Sequence, residues 1–294
     1  MELITKNGNI VPHIGLGTYP LQGDELAKII VAAYEIGYRL IDTSDDYRGE
    51  TGIGMAVDML KSNGISRENL FLQTKISTDN AHSDEPLRGL FFNKNNDFMQ
   101  RHSVEEVVRE KVEISLREMH TDYLDSLLIH YPFYGYYEEI WEVMCRLKKE
   151  GVVRYIGVSN FSNRHIEKLI TDGYESPSIN EIYVSPRGIK EDRISYAKTR
   201  GGQILTYSPL HLGNMLEEDV RPIMDKYGKS LQQIVLRWNI ERGCIPLPKT
   251  KSIKRLKENF DVFDFQLTPE EVESISALNT NYQYLVESKI CPGI

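Results

Sequence analysis

Four residues of this chain have side chains that can hold a carbonyl oxygen or supply its proton: Asp42, Tyr47, Lys75 and His130. A phenol with a pKa near 10 is a slow acid at neutral pH, and a nearby ammonium stabilises its phenolate and moves that pKa towards the working range. Lys75 would supply this charge to Tyr47, and Asp42 would pair with Lys75 and keep the ammonium protonated. The set therefore predicts positioned proton transfer to a carbonyl compound, which is typically worth about 10²- to 10⁴-fold in rate.

The positions of these residues along the chain point to one shared site. Asp42, Lys75 and His130 each follow a short apolar run that is typical of a buried strand. In a barrel of parallel strands, the carboxyl ends of all strands open onto one face, where the active sites of such barrels lie. A lone Tyr, His or Asp is more often a core, surface or capping residue. Ionisable residues at matching strand ends of one repeat favour an active site instead.

Strands and helices are predicted to alternate along the chain. The predicted strands span residues 14–17, 40–42, 70–76, 124–130, 155–159, 178–183, 203–207 and 245–248. The predicted helices span residues 25–36, 52–61, 104–119, 138–149, 164–171, 193–200, 218–226, 231–241 and 253–260. Asn7-Gly8 predicts an N-terminal β-hairpin, and Thr268 is expected to cap a final helix over 269–278. The pattern predicts an α/β protein, a (β/α)8 TIM barrel with a hairpin before it and an extra C-terminal helix.

Length and composition agree with one globular domain. A chain of 294 residues has the size of a single barrel, and 40% hydrophobic with 27% charged residues is an ordinary globular composition. Residues 1–294 are therefore predicted to form one barrel domain, with a long βα loop inserted at about 79–102. Loops of this length are usually functional or disordered. Because this one leaves from the rim that carries Lys75, we expect it to lie over or beside the active site.

Charge and cysteine content argue against several other classes of protein. A net charge of −8 does not favour binding to nucleic acid or to an anionic membrane. Three widely spaced cysteines support neither a disulfide framework nor a zinc site, so no metal is expected. The start of the chain lacks the apolar core of a signal peptide, and no apolar stretch is long enough to span a bilayer. We therefore expect a cytoplasmic protein, and a monomer, although a dimer stays open.

Four separated motifs resemble, in the correct order, the signatures of the aldo-keto reductase superfamily. They are Gly37-Tyr38-Arg39-Leu40-Ile41-Asp42-Thr43-Ser44 with Tyr47 and Glu50, Leu128-Ile129-His130-Tyr131-Pro132, Gly157-Val158-Ser159-Asn160-Phe161 and Ile245-Pro246-Leu247-Pro248-Lys249-Thr250. The resemblance, which extends to the reductases of small carbonyls and diketogluconate, covers nearly the whole chain except residues 79–102 and the last dozen. It implies that Tyr47 donates the proton, with Asp42 and Lys75 beside it, and that His130 orients the carbonyl oxygen.

A carbonyl reductase also needs a hydride, which no side chain can provide, so a nicotinamide cofactor is implied. Gly15-Leu16-Gly17 is not a dinucleotide fingerprint, because Pro20 stands where the third glycine is needed. The resemblance implies that Ser159, Asn160 and Glu181 hold the nicotinamide carboxamide, with Glu181 in place of the family's usual Gln, and that Tyr207 stacks on the ring. The other residues that it assigns to the cofactor near the barrel are Gly17, Thr18, Tyr19, Asp42, Ser208, Pro209 and Leu210.

Residues 249–257 place five cations in nine positions of an acidic protein. A run of charges is usually a solvated helix face. This one follows the last predicted strand and opens a helix, whose backbone N–H groups attract anions. The resemblance implies that Lys249, Thr250 and Arg255 bind the adenosine 2′-phosphate, and that Glu258 and Asn259 contact the adenine. We therefore predict NADPH/NADP+ as the cofactor, with NADH less favoured.

The predicted function is NADPH-dependent reduction of an aldehyde or ketone to an alcohol. The small-molecule carbonyl substrate is expected to contact Tyr19, Tyr47, His130 and Tyr131. One alternative is a non-catalytic, cofactor-sensing or regulatory subunit of the same fold, because a fold alone does not settle function. Another is a lyase in which Lys75 forms a Schiff base, which the adjacent Tyr47 and the cofactor motifs disfavour. The physiological substrate and the direction of the reaction stay open.

Overall fold

The computed structural model describes residues 2–4, 10–77, 102–132, 136–211 and 217–284. The chain starts with an antiparallel hairpin of two strands, β1 (Glu2–Ile4) and β2 (Ile10–Pro12), in which Glu2 lies opposite Pro12. The predicted hairpin is therefore confirmed, while its Asn7-Gly8 turn lies outside the described residues. The predicted insertion at 79–102 also lies outside them, apart from His102.

Eight parallel strands follow. They are β3 (Gly15–Gly17), β4 (Leu40–Asp42), β5 (Phe71–Ile76), β6 (Leu124–Ile129), β7 (Val153–Ser159), β8 (Ile179–Tyr183), β9 (Gln203–Tyr207) and β10 (Cys244–Leu247). Each strand pairs in parallel with the next one along the chain. The N–H of Gly17 donates to the carbonyl of Pro248 at 3.2 Å and joins the two ends of the sheet. The predicted (β/α)8 barrel is confirmed.

The helices lie between and after these strands. They are α1 (Gly23–Ile36), α2 (Glu50–Ser62), α3 (Val104–Glu118), α4 (Tyr137–Lys149), α5 (Asn163–Thr171), α6 (Glu191–Arg200), α7 (Glu217–Tyr227), α8 (Leu231–Glu241), α9 (Ile253–Phe260) and α10 (Pro269–Ser276). The hydroxyl of Thr268 accepts from the N–H of Glu271 in a capping box, so the predicted cap of α10 is confirmed. Within the described residues, no helix combines the length and the apolar character needed to cross a bilayer.

The inside of the barrel has an apolar layer below a polar one. The apolar layer consists of Leu40, Phe71, Leu128, Tyr155, Ile179, Leu205, Ile245 and Leu247, all of which are buried. Side chains alternate along a strand, so a residue two positions later points to the same side. Asp42, Gln73, Glu181 and Tyr207 each stand two positions after a member of this layer. Because of this two-residue alternation, their side chains point to the barrel interior, closer to its carboxyl end than the apolar layer.

Candidate active site

Lys75 occupies the centre of the polar layer. Its ammonium donates to Oδ1 of Asp42 at 2.6 Å and to the carbonyl of Thr43 at 2.9 Å, and lies 3.2 Å from Oε1 of Glu181. Burial by itself would lower the pKa of Lys75, but the carboxylates of Asp42 and Glu181 outweigh it and raise that pKa. Lys75 is therefore a protonated ammonium. Its predicted pairing with Asp42 is confirmed.

Gln73 ties the two carboxylates of this cluster together, which the sequence did not predict. Its Nε2 donates to Oδ1 of Asp42 and to Oε2 of Glu181, in both cases at 2.8 Å. Gln73 lies two residues before Lys75 on β5, so both side chains face the barrel interior. Burial, and next to it the charge of Asp42, raises the pKa of Glu181 to about 8. Glu181 is thus a partner of Lys75, in addition to any role with a cofactor.

Tyr47 reaches the site from a short 3₁₀ helix, Asp45–Tyr47, which the sequence did not predict. Its hydroxyl lies 3.5 Å from Nε2 of His130, and the ammonium of Lys75 is 5.3 Å from the centre of its ring. Burial, followed by the charges of Asp42, Glu181 and Asp46, raises the pKa of Tyr47 well above its usual value. The expectation that Lys75 moves this pKa towards the working range is therefore wrong. The phenol keeps its proton at neutral pH and has it available to donate.

His130 lies directly after β6 and is buried. Its Nδ1 is 3.2 Å from the hydroxyl of Ser44 and its Nε2 faces Tyr47. Burial, together with the positive charge of Lys75, lowers the pKa of His130 to about 3. The imidazole is therefore neutral throughout the physiological range. Asp42, Tyr47, Lys75 and His130, which span 89 positions of sequence, meet at one end of the barrel, as predicted.

Two tyrosines predicted to contact the substrate flank this set. The ring of Tyr131 stacks on His130, with centroids 4.6 Å apart and planes 19° apart. Tyr19 is 59% exposed, and its ring centre is 5.1 Å from that of Tyr47. Tyr131 therefore packs against His130, and Tyr19 packs against Tyr47.

The residues predicted to hold the nicotinamide lie at the ends of neighbouring strands. The hydroxyl of Ser159 donates to the carbonyl of Glu181 at 3.0 Å, and Nδ2 of Asn160 donates to the carbonyl of His130 at 3.0 Å. Tyr207 donates from its hydroxyl to Oδ1 of Asn160 at 2.9 Å. The structure thus brings Ser159, Asn160, Glu181 and Tyr207 together, and Glu181 connects them to Lys75.

The remaining predicted contacts surround this area. The N–H and the hydroxyl of Thr18 both donate to the carbonyl of Asp42, at 3.1 and 2.9 Å. A Cβ added to Gly17 would lie 3.1 Å from the carbonyl oxygen of Leu247, so the close approach of β3 to β10 favours glycine there. Ser208, in a left-handed conformation with φ 48°, turns the chain after β9, and buried Pro209 and half-buried Leu210 follow it.

The basic segment follows β10, where Lys249 lies next to Gly17 at the end of β3. Thr250 is buried and accepts from the N–H of Ser252 at 3.1 Å, and Asn259 is buried too. Lys249, Arg255 and Glu258 are exposed. Of the five cations in 249–257, only Lys254 makes an ion pair with a described carboxylate, that of Glu258 at 3.7 Å. Charged donors at the start of α9 therefore have no ion-pair partner among the described carboxylates other than Glu258, and such a place suits an anion.

A second buried polar cluster supports the turn that carries Tyr47, and only the residue types in the sequence pointed to it. Nζ of Lys111, on α3, donates to Oδ2 of Asp45 at 2.7 Å, and Oδ1 of Asp45 accepts from the N–H of Ser77 at 3.0 Å. Asp45 belongs to the 3₁₀ helix that carries Tyr47. The ion pair therefore anchors this turn to the barrel. Spacing could not reveal it, because Asp45 and Lys111 are 66 positions apart.

The geometry defines a buried pocket of ionisable residues at the carboxyl end of a (β/α)8 barrel, and the chain is similar to known proteins over most of its length. The profile of the Aldo/keto reductase family matches residues 13–280. The chain is 34% identical over 275 residues to the glyoxal reductase of Bacillus subtilis (strain 168), with 93% of this chain and 91% of that protein covered. It is 34% identical over 279 residues to the methylglyoxal reductase DkgA of Escherichia coli (strain K12), with 93% and 92% covered.

A solved structure gives the same result. The aldo-keto reductase AKR2E4 of Bombyx mori, crystallised in complex with NADP, superposes with a TM-score of 0.84 at 30% identity and covers 98% of this chain and 96% of its own. The present chain belongs to the aldo/keto reductase family, and is accordingly an oxidoreductase.

Proposed function

We propose that this protein reduces small aldehydes and ketones to alcohols, with NADPH as the reductant and Tyr47 as the general acid. The observation that carries the proposal is the position of the Tyr47 hydroxyl, 3.5 Å from Nε2 of His130, with the Lys75 ammonium 5.3 Å from the centre of the Tyr47 ring. Bound NADPH would supply a hydride to the carbonyl carbon. Tyr47 would give its proton to the carbonyl oxygen, and the negative charge that the phenol then carries would be stabilised by Lys75.

The ion cluster around Lys75 serves this proton transfer. Asp42 keeps the ammonium charged, Glu181 adds to this once it is ionised, and the hydrogen bonds to Asp42 and Thr43 fix the position of the ammonium. A fixed charge in a site shielded from water stabilises a developing phenolate more strongly than a mobile, hydrated charge does. Burial and the neighbouring negative charges raise the pKa of Tyr47, so its hydroxyl stays protonated until it donates to a substrate oxygen.

The residues proposed to hold the cofactor form a continuous path along the rim. Ser159, Asn160 and Glu181 would bind the nicotinamide carboxamide, and Tyr207 would pack against the ring. Lys249 and Arg255, which make no ion pair with a described carboxylate, would take the 2′-phosphate, with Thr250, Glu258 and Asn259 around the adenosine end. Gly17, Thr18, Tyr19, Ser208, Pro209 and Leu210 would line the stretch between.

The proposed substrates are small carbonyl compounds, such as those named for two relatives, glyoxal and methylglyoxal. Tyr19 and Tyr131 would form an aromatic entrance to Tyr47 and His130. The Schiff-base lyase is disfavoured, because three acceptors surround the Lys75 ammonium and its raised pKa removes the free amine that such chemistry needs. We further propose that residues 1–294 act as one domain and as a monomer.

Consumption of NADPH with methylglyoxal and with glyoxal tests the reaction. The KM for NADPH is expected to be lower than the KM for NADH. Binding of NADPH without turnover of any compound in a broad carbonyl panel would support the cofactor-sensing alternative instead.

Cofactor choice is tested separately with Arg255→Ala. Losing one charge-assisted hydrogen bond should raise the KM for NADPH roughly tenfold to a hundredfold and leave the KM for NADH almost unchanged. Lys254→Ala is the matched control, because Lys254 is on the same helix and already faces Glu258. Equal effects of Arg255→Ala on both cofactors would refute the assignment of the 2′-phosphate site.

A further inference from the structure

Asp46 stands directly before Tyr47 on the 3₁₀ helix Asp45–Tyr47, so its carboxylate lies next to the proposed proton donor. Oδ1 of Asp46 is 3.7 Å from Nδ1 of His130, beyond hydrogen-bond distance. The same oxygen is buried and has no hydrogen-bond partner among the described residues, although 31% of the Asp46 side chain is exposed. Asp46 therefore lies at the boundary between the buried pocket and the solvent.

Asp46 differs from two other acidic residues of the site because it makes no ion pair with a described lysine or arginine. Oδ1 of Asp42 accepts from the ammonium of Lys75 at 2.6 Å, and Oδ2 of Asp45 accepts from that of Lys111 at 2.7 Å. Each of these two pairs contains one negative and one positive charge. Asp46 adds a negative charge that no such partner balances.

Two further ionisable groups leave this negative charge in place at neutral pH. Burial, followed by the charge of Asp42, raises the pKa of Glu181 to about 8, so Glu181 is mostly protonated and adds little charge. His130 would pair with Asp46 only as a cation, and burial, followed by the charge of Lys75, lowers the pKa of His130 to about 3. The imidazole is therefore neutral, and the charge of Asp46 acts on the pocket without a compensating cation among the described residues.

We propose that Asp46 selects substrates by charge: it favours small carbonyl compounds that carry an ammonium group next to the carbonyl, and it disfavours 2-oxo acids. This inference rests on the proposed function, because it takes the carbonyl group to be held at Tyr47 and His130, the direct neighbours of Asp46. Charges interact over a Debye length of about 8 Å at physiological ionic strength, and clefts with low-dielectric walls strengthen such fields. An ammonium on the carbon next to the carbonyl is therefore attracted by Asp46, and a carboxylate there is repelled.

Arg48 is the cation that could oppose this preference. It follows Tyr47 in the chain and its side chain is exposed. Water and salt screen an exposed charge more strongly than a partly buried one, and one oxygen of the Asp46 carboxylate is buried. The charge of Asp46 should therefore dominate. If Arg48 dominated instead, the site would prefer anions, and Arg48→Gln would remove that preference.

Charge selection is measured with two substrate pairs in wild type and Asp46→Asn, a variant that keeps the size of the side chain and removes its charge. Aminoacetone and hydroxyacetone differ by an ammonium in place of a hydroxyl, and glyoxylate and glyoxal differ by a carboxylate in place of an aldehyde. At slightly acidic pH, where aminoacetone is protonated, the kcat/KM ratio of aminoacetone to hydroxyacetone should fall about threefold to tenfold in Asp46→Asn. The ratio of glyoxylate to glyoxal should rise by a similar factor.

Asp122→Asn is the matched control, because it removes the same charge from an exposed residue that precedes β6, at the amino end of the barrel. It should leave both ratios unchanged. In wild type, added salt should weaken the preference for aminoacetone, since screening reduces the attraction. Unchanged ratios in Asp46→Asn, or equal changes in Asp122→Asn, would overturn the inference.

Binding separates this inference from the proposed function. The dissociation constants of aminoacetone and hydroxyacetone are measured by ligand-observed NMR with NADP+ present, so that no hydride is available. Tighter binding of aminoacetone to wild type than to Asp46→Asn, with hydroxyacetone unaffected, supports charge selection even if the protein turns over no carbonyl, a result that would overturn the proposed function alone. Equal binding of aminoacetone to both proteins, or no binding of either compound to wild type, overturns charge selection even if carbonyl compounds are reduced.

Discussion

Glu181→Gln tests the electrostatics of the site without any assumption about a substrate. Glu181 is buried beside Asp42, and both carboxylates share one ammonium. The pKa of Glu181 is raised from 4.5 to about 8, first by burial and then by Asp42. Between these two values the folded protein keeps the proton that the unfolded chain has lost. Unfolding then releases a proton, so the free energy of unfolding falls as the pH rises through this window.

The size of the effect follows from the raised pKa. Each pH unit inside the window costs about 1.4 kcal/mol, so wild type should lose about 3 kcal/mol over roughly two units below pH 8 through this group alone. Glutamine carries no titrating proton, and its amide oxygen still offers Lys75 an acceptor. Glu181→Gln should therefore remove this contribution to the pH dependence and be relatively more stable than wild type at the alkaline end.

Denaturant unfolding of wild type and Glu181→Gln at several pH values across the window measures the difference. Glu273→Gln, which changes an exposed glutamate on α10, is the matched control and should follow wild type. If the free energy of unfolding changed with pH in parallel for wild type and Glu181→Gln, the reasoning would be refuted, because folding would then not change the proton affinity of Glu181.

Three further predictions concern the rest of the molecule. Gly54→Ala should lower the free energy of unfolding by about 1 to 3 kcal/mol, since a Cβ there would stand 2.2 Å from the carbonyl of Glu118, and an unchanged thermal midpoint would contradict this close contact of α2 and α3. Lys111→Met should cost about 3 to 5 kcal/mol in denaturant unfolding, because it removes the ammonium that pairs with the buried Asp45 carboxylate. Lys111→Met/Asp45→Asn should recover part of that loss, and no recovery would argue against an ion-pair origin. Because burial and Lys75 lower the pKa of His130 to about 3, the reduction rate plotted against pH should show no step near the ordinary histidine pKa. A step at that pH in wild type that was absent in His130→Gln would contradict this prediction.

The fold and the positions of the proton-carrying residues could be predicted because both depend on local patterns. Short apolar runs alternating with amphipathic segments define eight strand and helix pairs, and a strand directs residues two positions apart to one side. Asp42 and Lys75 could therefore be assigned to one rim from the sequence. The predicted strand that ends at His130 ends one residue earlier, at Ile129, which leaves His130 on the same rim.

The supporting contacts could not be predicted, because they join residues far apart in the sequence. Gln73 reaches Glu181 across 108 positions, and Ser44 reaches His130 across 86. The 3₁₀ helix at Asp45–Tyr47 is too short to leave a periodic pattern. These contacts also explain the wrong direction expected for the pKa of Tyr47. The sequence suggested Lys75 and Asp42 near the phenol, whereas the fold buries the phenol and adds the carboxylates of Glu181 and Asp46.

The central claim is that the Tyr47 hydroxyl supplies the proton in a carbonyl reduction. Tyr47→Phe removes this hydroxyl and keeps the ring that packs between Tyr19 and His130. The decisive measurement is the single-turnover rate of methylglyoxal reduction by this variant at saturating NADPH, together with the NADPH dissociation constant from fluorescence. The rate should fall about 10²- to 10⁴-fold while the dissociation constant stays within about twofold of wild type. A rate close to that of wild type, at unchanged NADPH affinity, would contradict the claim.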